Sequence, residues 1–253
     1  MIVPNKKDIR HKNQIFLLLR EILKDPFLSQ NLMFKGGTYA SLRGVLDRFS
    51  VDLDFDLHNK ENTEEIRKKC YEIFKKLNLE IKDESKNYLQ FFLKYDAPEG
   101  ERNTLKLEIN DDVSKYNKYE KVLLEQVNMY CNGHTLDTMF ANKLVACKAR
   151  YDKNGKIAGR DFYDIYQFFL QGIDINKDVV EERMGMKYVE YLKSLIEFTN
   201  THLTTKLINQ DLNPLIKQED IDKLLPFLKE DIITFLKDEE ERELSLQLSN
   251  PNC

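Results

Sequence analysis

Residues 52–57 read Asp-Leu-Asp-Phe-Asp-Leu. Strand side chains alternate faces, so a strand here puts Asp52, Asp54 and Asp56 on one side and Val51, Leu53, Phe55 and Leu57 on the other. The apolar row requires a core to pack against. The acidic row, left to itself, is self-repelling. A divalent cation relieves that repulsion, and Mg²⁺ is typically held by one or two carboxylates together with substrate phosphates. The pattern therefore constrains the chain to a sheet buried on one face, with a metal-and-phosphate site on the other.

A glycine pair stands shortly before this strand. Leu32, Met33 and Phe34 are an apolar run that predicts a strand end, Gly36-Gly37-Thr38 a turn, and Tyr39–Leu46 a helix by its apolar spacing. Glycines let backbone approach a ligand closely, and a helix N-terminus offers free N–H groups to anions. Thr38 is placed to cap the helix or to hydrogen-bond a phosphate. A Gly-Gly-Thr turn alone is an ordinary turn; the Asp-x-Asp strand that follows gives it a functional reading. The sequence has neither a G-x-x-x-x-G-K-[ST] loop nor a G-x-G-x-x-G turn, which sets aside P-loop and Rossmann chemistry.

The rest of the chain predicts an α+β fold in two parts. Residues 6–24 have the spacing of an amphipathic helix, 62–77 that of a second, and 79–83, 88–95 and 104–110 read as strands. In the last of these Leu105, Leu107 and Ile109 share one face, and Lys106, Glu108 and Asn110 the other. Beyond about residue 134 helical patterns take over: 136–150, a helix opened by Gly159-Arg160-Asp161 and running to Leu170, 186–203, and 219–246 interrupted at Pro226. The expected division is an α/β part over 1–133 and a helical part over 134–253. Asp238–Glu243 reads as a solvated helix face or a frayed tail.

At 253 residues, 42% hydrophobic and 32% charged, the composition is that of a globular protein. No run is long enough to span a bilayer and MIVPNKKDIR carries no signal-peptide core, so the cytoplasm is the expected location and no membrane partner is expected. Cys70, Cys131, Cys147 and Cys253 lack paired spacing and read as reduced thiols. His11, His58, His134 and His202 are too scattered for a local metal motif. The net charge of −4 does not mark a nucleic-acid binder, although 39 lysines and arginines leave room for a local basic face.

In the helical part Lys143, Cys147 and Arg150 fall on one helical stripe. Lys143 is either a phosphate contact or a surface lysine lying along apolar neighbours, and Lys148 competes for the same role. Asp161, in a helical first turn, is either a chemical residue or a complement to the helix dipole. Asp164 and Tyr163 lie near it on the same helix, and Arg160 is placed to neutralise phosphate. Residues 153–156, bracketed by Gly155 and Gly159, read as a loop over the site or a plain helix connection.

The Gly-Gly, short helix, Asp-x-Asp spacing resembles the nucleotidyltransferase superfamily. The longer string F-K-G-G-T…R-F-S-x-D-L-D-F, with Lys143 and Arg160-Asp161-Phe162-Tyr163-Asp164, resembles the AbiEii-type toxins of bacterial toxin–antitoxin and abortive-infection pairs, over roughly residues 30–170. The resemblance implies a nucleotidyltransferase-like mixed sheet followed by a helical module that completes the active-site cleft. It implies Mg²⁺ or Mn²⁺ on Asp52 and Asp54, with Glu108 as a third carboxylate unless that residue simply faces solvent. It places Lys35, Gly36, Gly37, Thr38 and Arg160 at the phosphates, Lys143 on the triphosphate and Asp161 at the attacking group. The implied activity is transfer from a nucleoside triphosphate to a hydroxyl with loss of pyrophosphate, the acceptor being the 3′ end of a tRNA, with an antitoxin as partner. Nucleotidylation of a protein or small molecule, and a nucleotide-binding regulatory protein without turnover, are the alternatives.

Overall fold

A computed structural model describes residues 1–249 and divides the chain into two compact units. The first comprises residues 1–113 and 117–135, the second residues 114–116 and 136 onward.

The first unit is built on a seven-stranded mixed sheet. In chain order its elements are α1 (Ile9–Lys24), α2 (Pro26–Asn31), β1 (Leu32–Lys35), α3 (Gly36–Leu42), β2 (Asp52–Leu57), α4 (Thr63–Lys76), β3 (Glu80–Glu84), β4 (Leu89–Lys94), β5 (Thr104–Asn110), β6 (Tyr119–Leu124) and β7 (Met129–His134). The spatial order is β3-β4-β5-β2-β1-β7-β6. β2 runs antiparallel to β1 and parallel to β5, so the acidic strand is central. Its apolar row is the core side: Leu53, Phe55, Leu105, Leu107 and Phe91 are fully buried, and Phe55 stacks on Phe34 with centroids 4.8 Å apart. Burying each such side chain contributes about 1.5–3 kcal/mol. α1 packs on this sheet and places His11 under its edge, where His11 Nε2–H donates to the Val51 carbonyl at 2.8 Å, one residue before Asp52.

The expected strands at 79–83, 88–95 and 104–110 are β3, β4 and β5. The turn-then-helix expected over 36–46 is corrected: α3 begins at Gly36 and stops at Leu42, before Gly44 at φ +77°. β6 and β7 were not expected from the sequence. Tyr119–Leu124 and Met129–His134 lack a clean alternation, because β6 is an edge strand with little to bury.

The second unit is helical: α5 (Leu136–Asn154), α6 (Gly159–Leu170), α7 (Lys177–Met184), α8 (Tyr188–His202), α9 (Thr205–Leu212), α10 (Gln218–Leu224) and α11 (Leu228–Ser249). α5 packs on α6 and α7, and α11 on α8 and α6. Gly159 touches α9 so closely that a Cβ there would lie 2.8 Å from Ile208 Cα. Residues 155–158 are a short helix connection. The observed class is the expected α+β. No helix among the described residues is long and apolar enough to cross a membrane. Cys70, Cys131 and Cys147 are buried free thiols, and Cys253 lies outside the described residues.

Candidate active site

Strand register assembles a polar row across four strands of the first unit. Gln90 on β4 pairs with Glu108 on β5, Glu108 with Asp54 on β2, and Asp54 with Lys35 on β1. Residues opposite one another in a sheet share a face, so Glu108 stands on the same side as Asp54. Asp52, one pleat away, pairs with Lys106. Sequence alone left the face of Glu108 open; register decides it. The Glu108 carboxylate is engaged by the Lys106 ammonium and by Gln90 Nε2 at 3.2 Å.

Electrostatics divide these acids. Burial, then the like charges of Asp52 and Glu108, push the Asp54 carboxyl up to about 6, against the opposing pull of Lys35 and Lys106. Burial would raise Glu108 as well, but the Lys106 and Gln90 hydrogen bonds hold it below its ordinary value. Asp56 is 1% exposed, and burial alone would raise it too. His134 and Lys35 reverse that and hold Asp56 well below the usual carboxylate range.

The glycine pair that opens α3 lies against this group. Gly36 has φ +78°, and a Cβ there would collide with Asp54 Oδ2, so the position needs glycine for both conformation and space. Gly37 faces two residues that the sequence reading quoted in the R-F-S string but gave no role: its Cβ would lie 2.8 Å from Arg48 Nη2 and 2.9 Å from Ser50 Oγ. Arg48 is buried, and its Nη1 donates to the Phe49 carbonyl at 3.0 Å. Its position, between an amphipathic helix and an acidic strand, carried no periodic signal. Thr38 departs from its expected role. Its side chain is fully buried and its hydroxyl donates to the Asp52 carbonyl, and the helix N-cap is Lys35. Thr38 thus ties the turn to the acidic strand and does not present its hydroxyl to a phosphate.

The acids fit a hard cation in donor chemistry: Asp52 and Asp54 share one strand face, and their carboxylate oxygens are crowded enough to raise Asp54. Among the described residues, no three His, Cys, Asp or Glu side chains are gathered as a ready-made metal cage. That agrees with Mg²⁺ sites that take one or two carboxylates and complete their shell with water and substrate oxygens.

The second unit gathers its own cluster. Lys143 Nζ lies 3.1 Å from Asp161 Oδ1 and 2.7 Å from Asp164 Oδ2, and Arg150 Nη2 lies 3.3 Å from Asp161 Oδ2. The stripe of Lys143 and Arg150 on α5 therefore meets one turn of α6. Both aspartates are buried. Burial would raise Asp161, but Lys143 and Arg150 hold it below its ordinary value, with help from Arg160. Lys148 donates instead to Ser194 Oγ at 2.7 Å, so Lys143 is the lysine that joins the acids.

A profile of the family described as "Nucleotidyl transferase AbiEii toxin, Type IV TA system" matches residues 17–242. Two crystal structures share the fold. JHP933 from Helicobacter pylori superposes with a TM-score of 0.53 at 20% identity, covering 96% of this chain and 99% of its own. A candidate nucleotidyltransferase from H. pylori gives a TM-score of 0.55 at 21% identity, covering 92% and 98%. A search of curated proteins gave no match.

Proposed function

The chain belongs to the AbiEii nucleotidyl transferase toxin family, and from that premise we propose that it transfers a nucleotide from a nucleoside triphosphate to an acceptor hydroxyl in a metal-dependent reaction. The observation that carries the reading is the Asp52–Asp54 face with Gly36 pressed against Asp54. Asp52 and Asp54 would hold Mg²⁺ or Mn²⁺, and Glu108 would join them only on exchanging Lys106 for the metal. The metal supplies charge stabilisation at the reacting phosphate.

The chain's own residues bind and orient. The Gly36 and Gly37 backbone approaches the phosphates, and Lys35 supplies a cation; in the second unit Arg160 is a further candidate cation for phosphate. Lys143 carries a compact ammonium suited to a triphosphate oxygen. In transfer the acceptor hydroxyl oxygen bonds to the α-phosphorus as the bond to the β-phosphate breaks, pyrophosphate leaves and the hydroxyl proton passes to solvent; in the second unit Asp161, ionised in its ion pairs, is the candidate for orienting an attacking group. The acceptor is the 3′ end of a tRNA. As a type IV toxin, the protein has its toxicity countered by a co-encoded antitoxin, and the expected location is the cytoplasm.

The test is incubation with each α-labelled triphosphate, Mg²⁺ and total cellular RNA. Label should enter a tRNA-sized band and pyrophosphate should appear. Label in protein only would transfer the assignment to protein nucleotidylation, and an absence of both signals would overturn transfer.

A further inference from the structure

Asp56 is the acid of the strand that the proposed transfer leaves unused. Lys35 is directly opposite Asp54 in the β1–β2 register, while the residue opposite Asp56 is Met33. By register the ammonium's nearest acid is Asp54. Lys35 bypasses it and reaches diagonally, placing Nζ 2.5 Å from Asp56 Oδ1.

The reason is on the other side of Asp56. Its Oδ2 accepts from His134 Nε2–H at 2.7 Å, from the Tyr119 hydroxyl at 3.0 Å and from Asn117 Nδ2 at 3.0 Å. Three donors on one oxygen fix the plane of the carboxyl and leave Oδ1 for Lys35. The donors come from β7, β6 and the segment before β6, so two strands lock a carboxylate on a third. An ionised carboxylate this deeply buried requires a cation partner, which strengthens its hold on the lysine.

We propose that Asp56, locked by His134, Tyr119 and Asn117, is a positioning residue that clamps Lys35 away from Asp54. The clamp keeps the Asp54 carboxylate clear of the ammonium and so available to a divalent cation. The inference rests on the metal reading of Asp52 and Asp54.

The test is Mn²⁺ affinity of the full-length protein without nucleotide, read by electron paramagnetic resonance. Asp56→Asn should release Lys35 onto Asp54 and weaken Mn²⁺ binding about 10- to 100-fold, as loss of a metal site's supporting partner does. Adding Lys35→Met to Asp56→Asn should restore affinity, which mere damage to the sheet would not allow. Should Asp56→Asn fail to fold, Tyr119→Phe removes one donor without changing charge; about a threefold loss is expected, again reversed by Lys35→Met. Wild-type affinity in Asp56→Asn, or in Tyr119→Phe where that substitutes for it, overturns the clamp, as does a loss that Lys35→Met leaves in place. Equal Mn²⁺ binding by wild type and Asp54→Asn is a separate result: it refutes the metal reading itself, and the clamp with it.

Discussion

In the sheet unit Asp54 stands among acids, and burial with those like charges pushes it up to about 6. In the helical unit Asp161 is also buried, yet Lys143 and Arg150 hold it below the ordinary carboxylate value. Both groups are acidic residues on one face of one element. They differ in whether the chain itself supplies enough positive charge. The helical cluster carries its own cations and is ready to orient a partner. The sheet cluster carries two lysines, one drawn off by Asp56 and one by Glu108, and remains short of positive charge at Asp54. An under-compensated carboxylate such as Asp54, against Gly36, is where an external cation lowers the free energy most.

The sharpest way to break this contrast is to neutralise each cluster in turn. Asp52→Asn and Asp54→Asn should each reduce transfer by roughly three orders of magnitude or more, since a metal's charge stabilisation is worth several kcal/mol. Asp161→Asn should lower kcat with metal binding intact. Steady-state kinetics with metal titrations would check this, and near wild-type transfer in either sheet variant would remove the metal from Asp52 and Asp54.

Stability should respond in the opposite sense. Lys143→Ala leaves Asp161 and Asp164 buried with one cation fewer and should cost about 3 kcal/mol, the scale of breaking a buried ion pair. Urea unfolding would measure it; a change below about half a kcal/mol would make the cluster an ordinary surface one.

The glycine turn offers an internal control. Gly36 and Gly44 have nearly the same φ, +78° and +77°, but a Cβ at Gly44 meets open space. Both alanine variants bear the left-handed strain of roughly 1 kcal/mol. Gly36→Ala should lose about 1–2 kcal/mol beyond Gly44→Ala, the cost of crowding Asp54. Equal losses would show that Asp54 is not confined by the turn.

The smallest effect is the most specific. A carboxyl whose folded pKa is raised binds more protons in the native state, so its ionisation lowers stability as pH rises from about 4 to about 6 and leaves a constant penalty above that range. Asp54→Asn removes the penalty. The variant should be more stable than wild type at pH 7.5 by about 1–2 kcal/mol, a figure reduced for partial exposure, and no more stable at pH 4. Asp56, held low, acts in the other direction: its stabilisation is present above the ordinary carboxylate range and is lost as pH falls below it. Thermal melts across pH would read both signs.

The acidic strand was legible because alternation and burial coincide there. β2 and β5 each keep an unbroken apolar row, and a row of that kind specifies the strand. The start of α3 was misread because a glycine pair signals a turn, whereas Gly36 supplies the left-handed residue that opens the helix under Asp54. α2, α7 and α9 are short and lack long periodic runs. Lys143 was singled out by a helical stripe and a resemblance, and Asp161 separately by its place in a first turn; their ion pair, with Asp164 as a second acid on the same ammonium, comes from the geometry. What no local pattern could reveal is the lock on Asp56. Its donors lie 61 to 78 residues away, on two strands that sequence did not show and the segment before them, so Asp56 read only as a farther member of the acidic row.

On the proposed function, Asp54 is part of a cation site required for nucleotide binding. The most direct measurement is calorimetric titration of a non-hydrolysable triphosphate into wild type and Asp54→Asn, with Mg²⁺ and with EDTA. Wild type should bind the triphosphate much more tightly with Mg²⁺ than without, and Asp54→Asn should show little or no Mg²⁺ dependence. The same Mg²⁺ dependence in both proteins would contradict the account.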